Sequence, residues 1–423
     1  MLDIDFIRNN PDLIKASVKR RKSDFNVDEL LKVDDMRRDL ITRIEIKRAE
    51  QNKTTDLIPQ QTDIDKKTQL IEEMKGLKAE IKELEEELNP VKELWQGLMM
   101  QLPNIADPSV PDGKSEADNV VVKEWGTKPQ FDFEPKDHIE LMENLGMIDL
   151  ERGTKVHGFR GYFMKGAGAK LQWAIWNFAR DFYTEAGFEE FVAPAIIRPD
   201  YFYATGHLPA EADDLFQTQD GDYLSGTAEV PMMAYYSNEI LDEEDLPFKV
   251  LAFSPCYRRE AGSHSKDTKG LIRVHEFYKL EQLVLCAASH EETVKFHEEI
   301  NTLFESFLEK LELPYQRLLI SMGDLSKSKV KQYDVEAWVP SQNQYRELSS
   351  ASYFHDFQTR RFNIRYRDTD GEIRFVHSLN NTAAATPRLL VSLVENFQQA
   401  DGSIMLPTVL HKYFGAPMIK ATN

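Results

Sequence analysis

A chain of 423 residues, 41% hydrophobic and 29% charged, is long enough for two or three domains with a large core, and its composition suits a globular protein with a charge-rich helical part. The net charge of −19 excludes a surface that attracts nucleic acid everywhere, so a nucleic-acid partner would have to meet a local cluster of Lys and Arg.

From the N-terminus, MLDIDFIRNN is acidic and lacks a signal-peptide core, and no apolar run reaches membrane-spanning length. A cytoplasmic address and no membrane partner are expected. Asn10-Pro11 is a helix start, a capping side chain followed by proline at the first helical position. A second helix begins near Asp28, with Val33, Met36, Leu40 and Ile44 at steps of three and four. Turn formers after Thr54 break it. A third helix begins near Thr62, and Leu70, Met74, Leu77, Ile81, Leu84 and Leu88 keep the 4-3-4-3-4 step of a coiled-coil seam. The two long helices predict an antiparallel hairpin, with Pro90 kinking or breaking the return. Such hairpins are usually dimerisation or spacer elements. Lys47, Arg48, Lys53, Lys66 and Lys67 toward the tip lean toward a basic contact surface, although Glu45 and Glu50 are interspersed.

A segment rich in Pro, Asp and Gly follows from Leu102. The predicted division is a helical domain over residues 1–105, a linker and entry over 106–135, and a compact domain over 136–423. Residues 171–186 predict a long helix, then a strand reaching Pro194; Gly166-Ala167-Gly168 is helix-entry chemistry rather than a phosphate loop. Thr227-Ala228-Glu229, taken alone, suits a helix cap.

Residues 251–281 predict strand, long loop and antiparallel strand, with the return strand closing at Glu281. Arg258, Glu260 and Phe277 then share a face: a guanidinium for phosphate, a carboxylate for a base edge, a ring to stack on the base. Cys256 and Cys286, the only cysteines, sit in apolar runs as buried filler, which excludes a disulfide framework and a CxxC metal site. Residues 290–313 predict a surface helix, 324–329 a solvated loop, and 334–367 a run of strands. Within those strands, Glu347-Leu348-Ser349-Ser350, taken alone, is an ordinary strand end. A strand and a small-residue turn over 378–387 lead into an apolar helix with Arg388 near its start.

The hairpin carries a longer pattern: Arg258-Arg259-Glu260, Ala261-Gly262-Ser263, then Asp267-Thr268-Lys269-Gly270-Leu271-Ile272-Arg273-Val274-His275, closing through Phe277, Lys279 and Glu281. It resembles motif 2 of class II aminoacyl-tRNA synthetases, and in detail that of the seryl-tRNA synthetase family. The resemblance extends over nearly the whole chain. Residues 171–194 are similar to motif 1, which builds the family's dimer interface, and 378–398 to motif 3. The turn Asn380-Asn381-Thr382-Ala383-Ala384-Ala385-Thr386-Pro387-Arg388 departs from the commonest bacterial N-G-S-G-x-A-x-G-R, with Thr382 for serine and Pro387 for glycine.

The resemblance implies an α+β fold, an antiparallel-sheet catalytic domain preceded by a helical coiled-coil arm that grips tRNA. It implies that L-serine and ATP form seryl-adenylate and that the seryl group passes to tRNA(Ser), with tRNA(Sec) a further substrate. Arg258 would hold the α-phosphate and the serine carboxylate, Arg388 the γ-phosphate, and Glu347 with Ser350 the Mg²⁺ on the ATP phosphates. Arg259, Glu260, Val274, Phe277, Leu348 and Ser349 complete the implied ATP site. Thr227, Ala228, Glu229, Glu281 and Thr382 complete the serine site. No zinc site is expected. Two rivals are an amino-acid-activating ligase that charges a carrier protein, whose relatives lack the arm, and a non-catalytic tRNA-binding paralogue, disfavoured by the retained Arg258, Glu347 and Arg388.

Overall fold

A computed structural model describes residues 1–261 and 269–421. The chain forms two compact units, Met1–Ile105 and Ala106–Asn423. The first holds four helices, α1 (Ile4–Asn9), α2 (Pro11–Arg20), α3 (Val27–Leu57) and α4 (Ile64–Gln101). Pro11 opens α2 at a position that needs no N–H donor. Asn26 caps α3 by accepting from the Glu29 N–H, and Asp63 caps α4 by accepting from Asp65 and Lys66. The two long helices pair through Leu40, Ile44, Ile81, Leu84 and Leu88.

Of the two outcomes expected at Pro90, the break does not occur: the return helix runs unbroken from Ile64 to Gln101. The proline is exposed, and Leu84, Leu88 and Val91 pack into the seam on either side of it. That burial outweighs one missing backbone N–H. Met36 is exposed rather than in the seam. Its place is taken by Asp34, fully buried, which pairs with Arg8 at 3.1 Å and Arg37 at 2.8 Å. Arg37 in turn lies 4.5 Å over the Trp95 ring.

The second unit is built on an eight-stranded sheet. Its strands are β1 (Val120–Trp125), β2 (Glu189–Val192), β3 (Phe248–Tyr257), β4 (Glu276–Cys286), β5 (Tyr315–Leu319), β6 (Lys331–Val339), β7 (Gln344–His355) and β8 (His377–Thr386). The spatial order is β1-β5-β6-β7-β8-β4-β3-β2. Every pair is antiparallel except β2 with β3. Three helices accompany it, α5 (Gly166–Glu185), α6 (His290–Lys310) and α7 (Arg388–Asn396). One core joins them: Phe178 stacks on Phe307 at 5.3 Å, and the Tyr183 hydroxyl donates to the Ala383 carbonyl at 3.1 Å.

Helix α6 keeps Glu291, Lys295 and Lys310 exposed and packs one face on the core, where Phe296, Ile300, Phe304, Phe307 and Leu308 form a buried stripe. Their spacing is that of one helix face, masked in the sequence by the glutamates around it. The expected run of strands over 334–367 is interrupted by the helical turn Thr359–Phe362. Strand β4 continues five residues past Glu281 to Cys286, so Glu281 lies mid-strand and buried, not at a strand end. Cys256 and Cys286 are free and buried.

Candidate active site

The sheet collects the singled-out residues from segments far apart in sequence. Arg258 stands just past β3, Phe277 is the second residue of β4, Glu347 and Ser350 lie on β7, Thr382 on β8, and Arg388 opens α7. One cavity is lined by Arg258, Glu260, Val274, Phe277, Glu347, Leu348, Thr382 and Arg388, together with Lys279. The Arg258 guanidinium lies 5.4 Å over the Phe277 ring and donates to the Gly226 carbonyl at 3.4 Å. Arg388 donates to the Glu347 carbonyl at 2.7 Å and to the Ile272 carbonyl at 3.3 Å, and its guanidinium is 3.7 Å from the Glu347 carboxylate. These contacts fix both guanidiniums at the rim before any anion arrives.

A second, more enclosed group adjoins this cavity through Lys279. Its ammonium is 2.6 Å from the Glu281 carboxylate and donates to the Thr227 hydroxyl at 2.9 Å. That hydroxyl also accepts from the Glu229 N–H at 3.2 Å, a local turn contact; the helix cap expected of the Thr-x-Glu segment is not formed, because Ala228 occupies the N-cap position and no side chain caps the helix. Glu229 opens a short helix, Glu229–Tyr235, after the buried Ala228, and its carboxylate accepts from the Gln358 amide at 2.7 Å. Burial pushes the Glu281 carboxyl up and Lys279 opposes that shift. Glu281 faces Thr382 across β4 and β8, at a register skip that leaves Ala383 as the extra residue. Glu281, Glu229 and Thr227 thus ring a small polar site beside the cavity.

Strands β6 and β7 bring carboxylates together at the open end. Glu336 pairs with Glu347 and Asp334 with Ser350 across the ladder. Burial, then the neighbouring Glu347, raises the Asp334 carboxyl well above the usual carboxylate range. Ser350 Oγ, buried beside Asp334, is left without a well-formed hydrogen bond, whereas the Glu347 side chain is half exposed. A hydroxyl and a carboxylate with spare lone pairs fit a hard cation. Among the described residues no group of three or more His, Cys, Asp or Glu could hold a metal ion, so a cation at Glu347 and Ser350 would need further oxygens from a substrate or water.

Other singled-out residues lie elsewhere. Ser349 is buried on the opposite side of β7 from Ser350, as the pleat requires, and Arg259 is exposed. In the first unit Lys47 pairs with Glu80 at 3.0 Å and Arg48 with Glu85 at 2.6 Å, whereas Lys53, Lys66 and Lys67 are exposed with no ion pair among the described residues. Residues Gly262, Ser263, Asp267 and Thr268 of the hairpin loop lie outside the described residues. Sequence reasoning gave no role to Lys279 or Gln358. Period-two alternation already put Lys279 on the face of Phe277 and Glu281; no sequence signal pointed to Gln358.

A largely antiparallel sheet that gathers two arginines, a phenylalanine and a carboxylate around one cavity is the architecture of the class II aminoacyl-tRNA synthetase core. Residues 215–397 match the tRNA synthetase class II core domain (G, H, P, S and T), and residues 1–106 match the seryl-tRNA synthetase N-terminal domain. The serine–tRNA ligase of Deinococcus radiodurans is 41% identical over 98% of both chains. That of a Nocardioides species is 44% identical over 99% of both. The crystal structure of seryl-tRNA synthetase from Pyrococcus horikoshii complexed with ATP superposes with a TM-score of 0.91 at 37% identity, covering all of both chains. The chain belongs to the seryl-tRNA synthetase family.

Proposed function

We propose that the protein activates L-serine with ATP and transfers the seryl group to tRNA(Ser), with tRNA(Sec) a further acceptor. One observation carries this reading. Arg258 touches both halves of the site, lying over Phe277 on one side and bonded to Gly226, next to Thr227, on the other. A guanidinium in that position can bind the serine carboxylate and the α-phosphate together, which is the juxtaposition adenylate formation requires.

The serine carboxylate attacks the α-phosphorus, the bond to the β-phosphate oxygen breaks, and pyrophosphate leaves. The terminal ribose hydroxyl of tRNA then attacks the seryl carbonyl, and AMP leaves. The chain contributes positioning and charge rather than a covalent nucleophile. Phe277 stacks on adenine, Glu260 and the Val274 backbone meet the base edge, and Arg388 takes the γ-phosphate. Arg259, Leu348 and Ser349 support the nucleotide pocket. Glu229 and Thr227 receive the serine ammonium, and Glu281 with Thr382 receives its hydroxyl. Glu347 and Ser350 would hold Mg²⁺, which when bound neutralises phosphate charge.

Residues 1–105 serve as the tRNA-binding arm through Lys53, Lys66 and Lys67, with Lys47 and Arg48 freed from their glutamates on binding. Residues 106–135 are the linker and entry, and 136–423 the catalytic domain. Two chains pair through motif 1, where Trp173 and Val192 are 63% and 84% exposed. No helix among the described residues is long and apolar enough to cross a membrane. The protein works in the cytoplasm.

Serine-dependent ATP–pyrophosphate exchange followed by charging of tRNA tests the reading against a carrier-protein ligase and a non-catalytic paralogue. Arg258→Ala should cost about 3–4 kcal/mol of transition-state stabilisation, several hundredfold in exchange rate. Exchange within tenfold of wild type would remove Arg258 from the role.

A further inference from the structure

We propose that Asp214 is the positioning residue that fixes Glu260 for reading the 6-amino edge of adenine, so that base selection depends on a side chain outside the motif 2 hairpin. The proposal rests on the reading of Glu260 as the residue at the adenine edge.

Asp214 ends a single 3₁₀ turn, Ala212–Asp214. Its backbone carbonyl accepts from the Arg259 N–H at 2.8 Å, and its carboxylate Oδ1 accepts from the Ala261 N–H at 3.1 Å. One residue therefore grips the peptide groups on both sides of Glu260. The grip falls where it is needed, because Glu260 has a φ of +55°, a left-handed conformation that side chains with a Cβ resist. The carboxylate end is held separately. Arg273 pairs with it at 3.0 Å and the buried Arg160 lies 3.7 Å away. Asp214 and Glu260 both stand at the wall of one broad opening that also contains Arg258 and Arg388.

This division of labour has a chemical consequence. The Glu260 carboxylate, paired with Arg273 and close to Arg160, offers acceptors to a base edge and no donor. Such a group accepts from the exocyclic amine of adenine and opposes the 6-oxo group of guanine, which is also an acceptor. The two guanidiniums hold the carboxylate end, but the backbone at residue 260 sets where the side chain starts, and Asp214 holds that backbone. Replacing Asp214 by alanine removes the Oδ1 contact and the carboxylate charge that acts on His275, while the Asp214 carbonyl still receives the Arg259 N–H.

The test compares ATP with purine riboside 5′-triphosphate, which lacks the 6-amino group, in serine-dependent pyrophosphate exchange. For Asp214→Ala, KM for ATP should rise about ten- to a hundredfold, the range expected for a lost hydrogen bond to a charged group. KM for the purine analogue, KM for serine, and kcat should each stay within about threefold of wild type. Asp214→Asn, whose amide oxygen can still accept from Ala261, should recover most of the preference for ATP. A merely structural role would raise KM for both nucleotides equally, and that result, or an unchanged ATP-to-analogue ratio of kcat/KM, would overturn the proposal. Glu260→Ala is run in parallel. If it abolishes the ratio while Asp214→Ala leaves it intact, the proposal alone fails. If Glu260→Ala leaves the ratio intact, the adenine-edge reading fails and takes the proposal with it.

Discussion

Lys279 and Glu281 form an ion pair at 2.6 Å with side chains only 8% and 5% exposed. They lie two residues apart on β4 and so project from the same face. Taking two charges out of water is costly, and the pair persists because each neutralises the other and Thr227 accepts from the ammonium. Removing one partner leaves a bare buried charge. Lys279→Met should therefore lower the stability of the protein by about 3–5 kcal/mol, while Lys279→Met combined with Glu281→Leu should be much closer to wild type. Urea unfolding of both single variants and the double variant measures the coupling; additive losses would mean that the pair is not one energetic unit.

The same carboxylate is the one assigned to the serine hydroxyl, and selectivity can be separated from stability. Glu281→Gln keeps shape and one acceptor but gives up the charge. A site built to hydrogen-bond a hydroxyl can reject the analogue lacking it by roughly 10⁴–10⁵, since buried polar groups are then left unpaired. An extra or missing methyl is worth only about 1–3 kcal/mol, so threonine should be excluded less completely than alanine. In Glu281→Gln the serine-to-alanine ratio of kcat/KM in pyrophosphate exchange should fall by at least tenfold, with KM for ATP changed little. A ratio equal to wild type would take Glu281 out of recognition.

The hairpin and its partners were legible in the sequence for identifiable reasons. Alternation at period two marks β3 and β4, and the 4-3 seam marks α3 and α4, since both patterns are written by burial itself. What escaped depends on contacts between distant segments. Asp34 and Arg37 replace an apolar seam layer because Arg8 and Trp95 come to meet them, which no local pattern announces. Gln358 reaches Glu229 from 129 residues away. Strand β4 continued past Glu281 because a buried charge and a strand-end charge look alike until the partner, Lys279, is seen beside it. Pro90 does not break α4, because proline removes one donor whereas the helix is held by a whole seam.

The arm carries a prediction about division of function. Its hairpin forms a compact unit of its own, Met1–Ile105, and every candidate catalytic residue belongs to the other unit. Replacing residues 30–100 by a short linker should spare serine-dependent pyrophosphate exchange within about threefold and reduce tRNA charging by at least a hundredfold. In the intact protein, charging at subsaturating tRNA should fall steeply as salt rises, because phosphate contacts release counterions. Normal charging by the armless protein would refute the assignment of residues 1–105 to tRNA.

A last prediction concerns acid. His297 on α6 is fully buried, its ring stacked on Tyr333 at 5.0 Å between centroids and its Nε2 at 3.0 Å from the Ala351 carbonyl. Burial lowers its pKa from 6.5 to about 4, outweighing the upward pull of the Ala351 carbonyl and of Glu298. The folded state thus keeps this imidazole neutral, while the unfolded chain binds a proton below about pH 6.5. Stability from this residue is therefore present in full above pH 6.5 and is lost as pH falls toward 4. That depression corresponds to roughly 3 kcal/mol in all, of which about 2 kcal/mol is lost by pH 5. His297→Gln removes the titration and costs stability at every pH through altered packing. Urea unfolding at pH 7.5 and pH 5 should show wild type losing about 2 kcal/mol more than the variant between the two conditions. Equal losses in the two proteins would mean that His297 is already protonated in the fold, or that the unfolded chain does not take up the proton, and either would contradict its burial as a neutral ring.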